Sequence, residues 1–223
     1  CRRAPDRLVQ TVVELCQQRL PDNMGIPADQ IQVLSPTRKG VCGTVNLNRA
    51  LQAALNPPAA GKHQKPWGDM VFREGDRVMQ TRNNYDVVWE KDDGSMGAGI
   101  FNGDVGVIRE IDPSGELITI QFDDRTCVYT ADLLNQLDMA YAMTVHKAQG
   151  SEYRCVVLVS AAVAPALMVR GVLYTAITRA RELLVLVGDD VAPGQMAAND
   201  KQQRRYSGLR RRLREEAMSH GLQ

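Results

Sequence analysis

Between about Asp69 and Ala131 the chain changes texture, and the contrast with its flanks limits the fold more than any other feature. Inside that stretch, short β-type runs (Asp76 to Gln80, Val105 to Ile111, Leu117 to Phe122, Thr126 to Thr130) are separated by turns such as Asp112-Pro113-Ser114-Gly115. Ile118, Ile120 and Phe122 alternate with Thr119 and Gln121, the period of a strand with one wet face. Before it, Leu8, Val12, Leu15, Cys16 and Leu20 recur at helical spacing up to Pro21. A buried-strand run from Gln30 to Ser35 follows, then a helix through Val45, Leu51 and Leu55. After the β-rich stretch come Met139 to Thr144, Val156 to Ser160, a helical stretch from Met168 to Arg181 and the apolar run Leu183 to Gly188. Strand and helix alternate on both sides, so the pattern predicts one α/β domain with a small β-barrel inserted in it. Its expected parts are residues 1–68, an insert over 69–131, a second α/β part over 132–190 and a tail over 191–223. The segment from Asn56 to Gly68, with three prolines and no period, reads as a linker or surface loop.

Charge narrows the possible partners. Among 223 residues, 27 Lys and Arg face 26 Asp and Glu, which excludes a uniformly basic coat for nucleic acid. Charge is nevertheless local: the segment from Lys201 carries seven cations against Glu215 and Glu216. It reads either as a DNA-facing basic helix or as a solvated face. Aromatic residues make up only 5%, too few for a broad base-stacking surface. The five cysteines contain no CxxC pair and read as small buried apolar residues in a reducing compartment, which points to a cytoplasmic protein. The apolar stretch Cys155 to Val169 is interrupted by Ser160 and Pro165, so no membrane span is expected, and no signal peptide is visible.

Three strings concentrate polar chemistry beside the apolar runs: Ser35 to Gly40 (SPTRKG), Thr144 to Glu152 (TVHKAQGSE) and Tyr174 to Arg181 (YTAITRAR). Each has an ordinary reading when taken alone. The first is then a solvated basic turn, the second holds a satisfied structural histidine, and Arg179 and Arg181 of the third interact with the carbonyls at a helix end. With only His63 and His220 besides His146, neither a metal site nor a Cys/His nucleophilic centre is expected.

In this order and spacing, the three strings resemble motifs IV, V and VI in the second motor domain of superfamily 1 DNA helicases, most closely the RecD-like group. Gly75 to Tyr85 (GDRVMQTRNNY) and Phe101 to Gly106 (FNGDVG) are similar to the entry into the Src-homology-3-like barrel of that group. The resemblance covers about Ile31 to Gly188 and implies a RecA-like, P-loop NTPase-type parallel sheet with an inserted barrel. The P-loop itself is not in this sequence: no G-x-x-x-x-G-K-[ST] string and no Asp-Glu pair occur. The expectation is therefore the carboxyl-terminal half of a helicase whose nucleotide-gripping first motor domain lies upstream, the segment by itself being inactive.

The resemblance also implies roles. Arg38 and Arg179 would reach the γ-phosphate of ATP, as catalytic groups that compensate transition-state charge. Glu152 would contact the nucleotide sugar, with Gly150 and Gln149 beside it. Thr144, His146 and Asn83 would face single-stranded DNA, while Tyr174 is expected to pack. ATP with Mg2+ would be used by the parent protein, translocation would run 5′ to 3′, and subunits of a recombination or repair complex are possible partners. The competing reading is a non-enzymatic binding module built on a KOW-like barrel.

Overall fold

The computed structural model describes residues 5–161, 165–200, 212 and 216. Most of the basic run from Lys201 therefore lies outside the described residues. In chain order the elements are α1 (Pro5–Glu14), a π-turn (Leu15–Arg19), α2 (Leu20–Met24), β1 (Ile31–Ser35), α3 (Thr44–Leu55), β2 (Gln64–Trp67), β3 (Met70–Arg73) and β4 (Arg77–Gln80). They continue with β5 (Asn84–Lys91), β6 (Met96–Ile100), β7 (Val105–Ile111), β8 (Leu117–Phe122), β9 (Arg125–Thr130), β10 (Leu137–Met139) and β11 (Ala142–Thr144). Last come β12 (Tyr153–Ser160), α4 (Arg170–Ile177), β13 (Ala180–Gly188) and α5 (Ala192–Ala198).

The first helix buries Leu8, Val12, Cys16 and Leu20, the stripe that the spacing predicts. It does not stop at Pro21. Leu20 N–H donates five residues back to the Leu15 carbonyl, and this π-turn directly before the donor-less proline lets helical turns continue to Met24.

Four strands form a wholly parallel sheet in the order β11-β1-β12-β13. Every residue of β1 is buried, as is β12 from Cys155 onward, the burial that parallel strands covered on both faces require. The apolar run in β13 is less buried than its composition suggests. As an edge strand it has one neighbour, and Leu186 is 45% exposed. In α3 the buried positions are Thr44, Leu47 and Leu51, whereas Val45, expected on the core face, is turned outward.

The β-rich stretch forms a seven-stranded antiparallel sheet, order β10-β4-β7-β8-β9-β5-β6, beside a two-stranded hairpin of β2 and β3. Its strands run past the expected limits of 69 and 131. The hairpin begins at Gln64 inside the supposed linker, where a two-stranded ribbon tolerates Pro66, and β10 pairs with β4 through Asp138↔Met79. Two strands were not legible. β5 carries apolar Tyr85, Val87, Val88 and Trp89 on both faces, and β6 reads MGAGI. The glycine at 97 is required by a close approach, since a Cβ there would lie 2.3 Å from the Trp89 ring.

The two sheets share one interior. A single buried cluster includes Ile31, Val33 and Val157 of the parallel sheet and Val78, Ile108, Ile120 and Phe122 of the antiparallel one. Arg77 of β4 donates to the Ile31 carbonyl and to Gln32 Oε1, both at 3.1 Å, and Met79 packs among Leu34, Met143 and Val156. Cys16, Cys42, Cys127 and Cys155 are buried and not joined in disulfides, and burial pushes Cys16 up to about 12 and Cys155 up to about 11.

Candidate functional site

The SPTRKG string leaves β1 at the carboxyl end of the parallel sheet and folds back over the start of α3. Ser35 Oγ donates to the Cys42 carbonyl at 2.8 Å, and the N–H groups of Thr44 and Val45 donate to the carbonyls of Thr37 and Arg38 at 3.1 and 3.2 Å. This fold-back needs Gly43: a Cβ there would stand 2.5 Å from the carbonyl oxygens of Arg38 and Lys39. The first amides of α3 are thus satisfied by the loop itself, so any anion at this end must be met by side chains rather than a backbone cradle.

The side chain of Arg38 is 63% exposed and lies 3.5 Å from Asp138 Oδ1. Asp138 Oδ2 accepts from Lys147 Nζ at 2.9 Å, so one carboxylate of β10 lies between a cation of each of two motif strings. Thr144 ends β11, and its carbonyl accepts the N–H groups of Lys147 and Ala148, turning the TVHKAQGSE string down from this edge. A cleft of about 380 Å³ opens here, with Arg38, Arg49, Arg73 and Lys147 outnumbering Asp69 and Asp138 on its walls, and Met70, Met79, Met139 and Met143 supplying apolar surface. His146 is exposed on the descending turn.

A second group lies at the opposite, amino-terminal edge. Arg179 NH1 donates to the Ser151 carbonyl at 2.8 Å, its Nε to the Thr175 carbonyl at 3.3 Å and its NH2 to Thr178 Oγ1 at 3.2 Å. Its guanidinium is folded onto the end of α4, bonding a helix-end carbonyl as the ordinary reading of that string has it, and ties motif V to motif VI. A guanidinium has five N–H donors, so two remain to be offered outward. Gln149 and Gly150 are exposed on the turn before Ser151, and Glu152 Oε2 stands 3.8 Å from Arg181 Nε, both side chains in solvent. Tyr174, expected to pack, is 68% exposed on α4.

Strand register separates the two groups. Leu34 is level with Leu158 and Leu186, while Ala180, next to Arg179, is level with Tyr153 at the beginning of β12. At about 3.3 Å per residue, roughly 20 Å divides the level of Ser35 from that of Ala180. Arg38 thus follows the carboxyl end of β1, on the side where Thr144 ends β11, while Arg179 directly precedes the amino end of β13. The strings lie close in sequence pattern but leave strands at opposite ends.

Asn83 is in a third place, beyond β4. Its Oδ1 accepts the Asn102 N–H at 2.9 Å, so the carboxamide holds a turn rather than facing outward alone. Lys147 and Asp138 were missed as site residues. Lys147 stood inside a quoted motif, while Asp138 had no signal, because β10 is too short to announce itself. Among the described residues, no group of three or more His, Cys, Asp or Glu could hold a metal ion. Cations predominate in the cleft, a donor set that fits phosphate charge and not Mg2+.

A family model described as the ATP-dependent RecD-like DNA helicase SH3 domain matches residues 47–122, and one described as the UvrD-like helicase C-terminal domain matches 139–187. The ATP-dependent RecD2 DNA helicase of Deinococcus radiodurans is 35% identical over 184 residues, covering 82% of this chain and 23% of its own length. The RecBCD enzyme subunit RecD of Mycobacterium tuberculosis is 31% identical over 185 residues, 83% of this chain and 29% of that protein. This chain thus spans about a quarter of the length of these curated relatives. A Pif1 helicase from Bacteroides, solved with ADP-AlF3 and ssDNA, aligns over 97% of this chain and 50% of its own at 15% identity and a TM-score of 0.48. No helix of the described residues is long and apolar enough to cross a membrane. With an SH3-type stretch and a helicase C-terminal stretch in succession, the chain is similar to RecD-type DNA helicases across four fifths of its length.

Proposed function

We propose that this segment supplies the second-motor-domain half of an ATP-driven DNA translocase and that the two edges of its parallel sheet divide the work. The carboxyl edge, with Arg38, Thr144 and Lys147 around the cleft, carries single-stranded DNA. The amino edge, with Arg179, Glu152, Gln149 and Gly150, faces the nucleotide. The observation that carries this reading is the register, which sets the levels of Ser35 and Ala180 roughly 20 Å apart along the strands. Two ligands, one at each edge, match that spacing.

Each edge suits its ligand. Arg38 and Lys147 are flexible cations beside a hydroxyl, able to hold backbone phosphates without reading sequence. Arg179 is fixed by three hydrogen bonds and keeps two donors, the preorganisation that stabilising a developing charge requires. ATP, with Mg2+, would supply the phosphoryl chemistry in the complete protein, gripped chiefly by an upstream motor domain. On this reading the parent works in the cytoplasm, translocates 5′ to 3′ and can assemble with other subunits. His146, exposed midway down the turn, belongs to the DNA side.

Salt-dependent binding of short oligothymidylate by this chain tests the assignment. Arg38→Ala is expected to lower the slope of log affinity against log salt by about 1, the signature of one lost phosphate contact. An unchanged slope removes Arg38 from the DNA side. In the same preparation ATP should stay intact with or without DNA, because no phosphate-cradling G-x-x-x-x-G-K-[ST] loop is present in the sequence; DNA-stimulated turnover would contradict the division of roles.

A further inference from the structure

We propose that Tyr85 and Phe101 form a stacking platform for unpaired bases, an inference that rests on the reading that DNA runs along the carboxyl edge. Phe72 and Phe122 are fully buried, yet Phe101 is 41% exposed and Tyr85 67% exposed. The two rings meet edge to face, centroids 5.7 Å apart at 74°.

The pair is held in place. Phe101 N–H donates to Asp104 Oδ2 at 3.0 Å, and that carboxylate also pairs with Arg125 at 3.1 Å. Asn83 accepts from the Asn102 N–H and donates to Tyr85 Oη at 3.4 Å, linking the two aromatic segments. Gly99 adopts φ +106°, and a Cβ there would lie 3.1 Å from the tip of the Phe101 ring. A rigid exposed ring loses little freedom when a base stacks on it.

Position and surroundings choose the occupant. From Asp138 in the cleft, the β4 and β10 pairing runs through Met79 and Gln80 to Thr81, whose N–H donates to the Gln136 carbonyl. Arg82, which donates to Asn135 Oδ1, comes next and is three residues before Tyr85. The platform thus continues the cationic cleft along the sheet end at about 3.3 Å per residue. Two rings joined through Asn83 are far too small for a protein interface of roughly 800 Å² per partner. They suit bases, every one of which has a π face. The pair also lies within the stretch matched by the RecD-like SH3 model.

The test compares binding of this chain to short oligothymidylate and to an abasic oligomer of the same length. Tyr85→Ala should weaken oligothymidylate binding by roughly 5- to 100-fold, as expected for one stacked base, and leave abasic binding and the salt slope unchanged. Tyr85→Trp should keep the parental preference for bases. If Tyr85→Ala binds both oligomers as the parent does, the platform is wrong while the DNA reading stands. An equal loss on both oligomers also overturns stacking. A parent chain that binds neither oligomer removes the DNA reading and the platform with it.

Discussion

Replacing Arg179 by alanine in a full-length RecD-like protein containing this segment is expected to lower DNA-stimulated ATP turnover by about three to five orders of magnitude, the range for an arginine that stabilises phosphoryl-transfer charge. The effect should fall on kcat far more than on KM, because the interaction strengthens only as charge spreads in the transition state. The residue is not an isolated finger. Its bonds to Ser151, Thr175 and Thr178 join the turn before β12 to the end of α4, so the alanine variant also loses local order worth about 1 to 2 kcal/mol. Arg179→Lys separates the two effects: it keeps a charge but cannot reproduce the planar fork, so stability should recover more than turnover does. Turnover near the parental rate in the alanine variant would make Arg179 a helix-end structural residue only.

The second large effect concerns Asp76, which is fully buried where the two sheets meet. Its Oδ1 accepts from Asn56 Nδ2 at 2.7 Å and from Tyr141 Oη at 2.9 Å, and its Oδ2 from Gln52 Nε2 at 2.6 Å and from Arg73 N–H at 2.8 Å. One carboxylate thus ties α3, the hairpin, β4 and the approach to β11. Asp76→Ala leaves four donors facing an apolar methyl and should cost about 3 to 5 kcal/mol. For a domain of this size that is a fall in Tm of roughly 6 to 20 °C. Trp67 and Trp89 lie in β2 and β5, so their fluorescence reports the β-rich part while far-ultraviolet circular dichroism reports the helices. With one shared interior the two signals should fall together, in the parent as in the variant. Separate transitions would mean an insert with its own core.

Burial pushes the Asp76 carboxyl pKa up, against the lowering pull of its donors. A folded pKa above the unfolded value of 3.8 means that the native state holds this proton more tightly. The group's contribution to stability is then largest below 3.8 and declines as pH rises through the folded value.

The parallel sheet was legible because its strands are short, mainly apolar runs with breakers beside them, as in Ile31 to Ser35 before Pro36 and in Val156 to Ser160. The antiparallel part was legible only where apolar and polar residues alternate, as in β8. Tyr85 and Val88 were placed outward, and Gly97 made room for Trp89, so β5 and β6 carried no period to read. The motif strings located the polar chemistry, and chain order already puts Arg38 after β1 and Arg179 before β13. That this sets them at opposite edges follows only once the strands are known to be parallel and in register. The partners of Asp138 and the fold-back of Arg179 depend on contacts between segments distant in sequence, which no local pattern encodes.

Hydrogen exchange of this chain with and without saturating oligothymidylate tests the division of the sheet edges most directly, since bound ligand slows local opening where it contacts the backbone. Protection is expected over residues 36–43, 138–147 and 82–103, with residues 149–152 and 175–181 unchanged. Protection concentrated at 149–152 and 175–181, with none over 36–43, would place DNA on the edge assigned to the nucleotide and contradict the account.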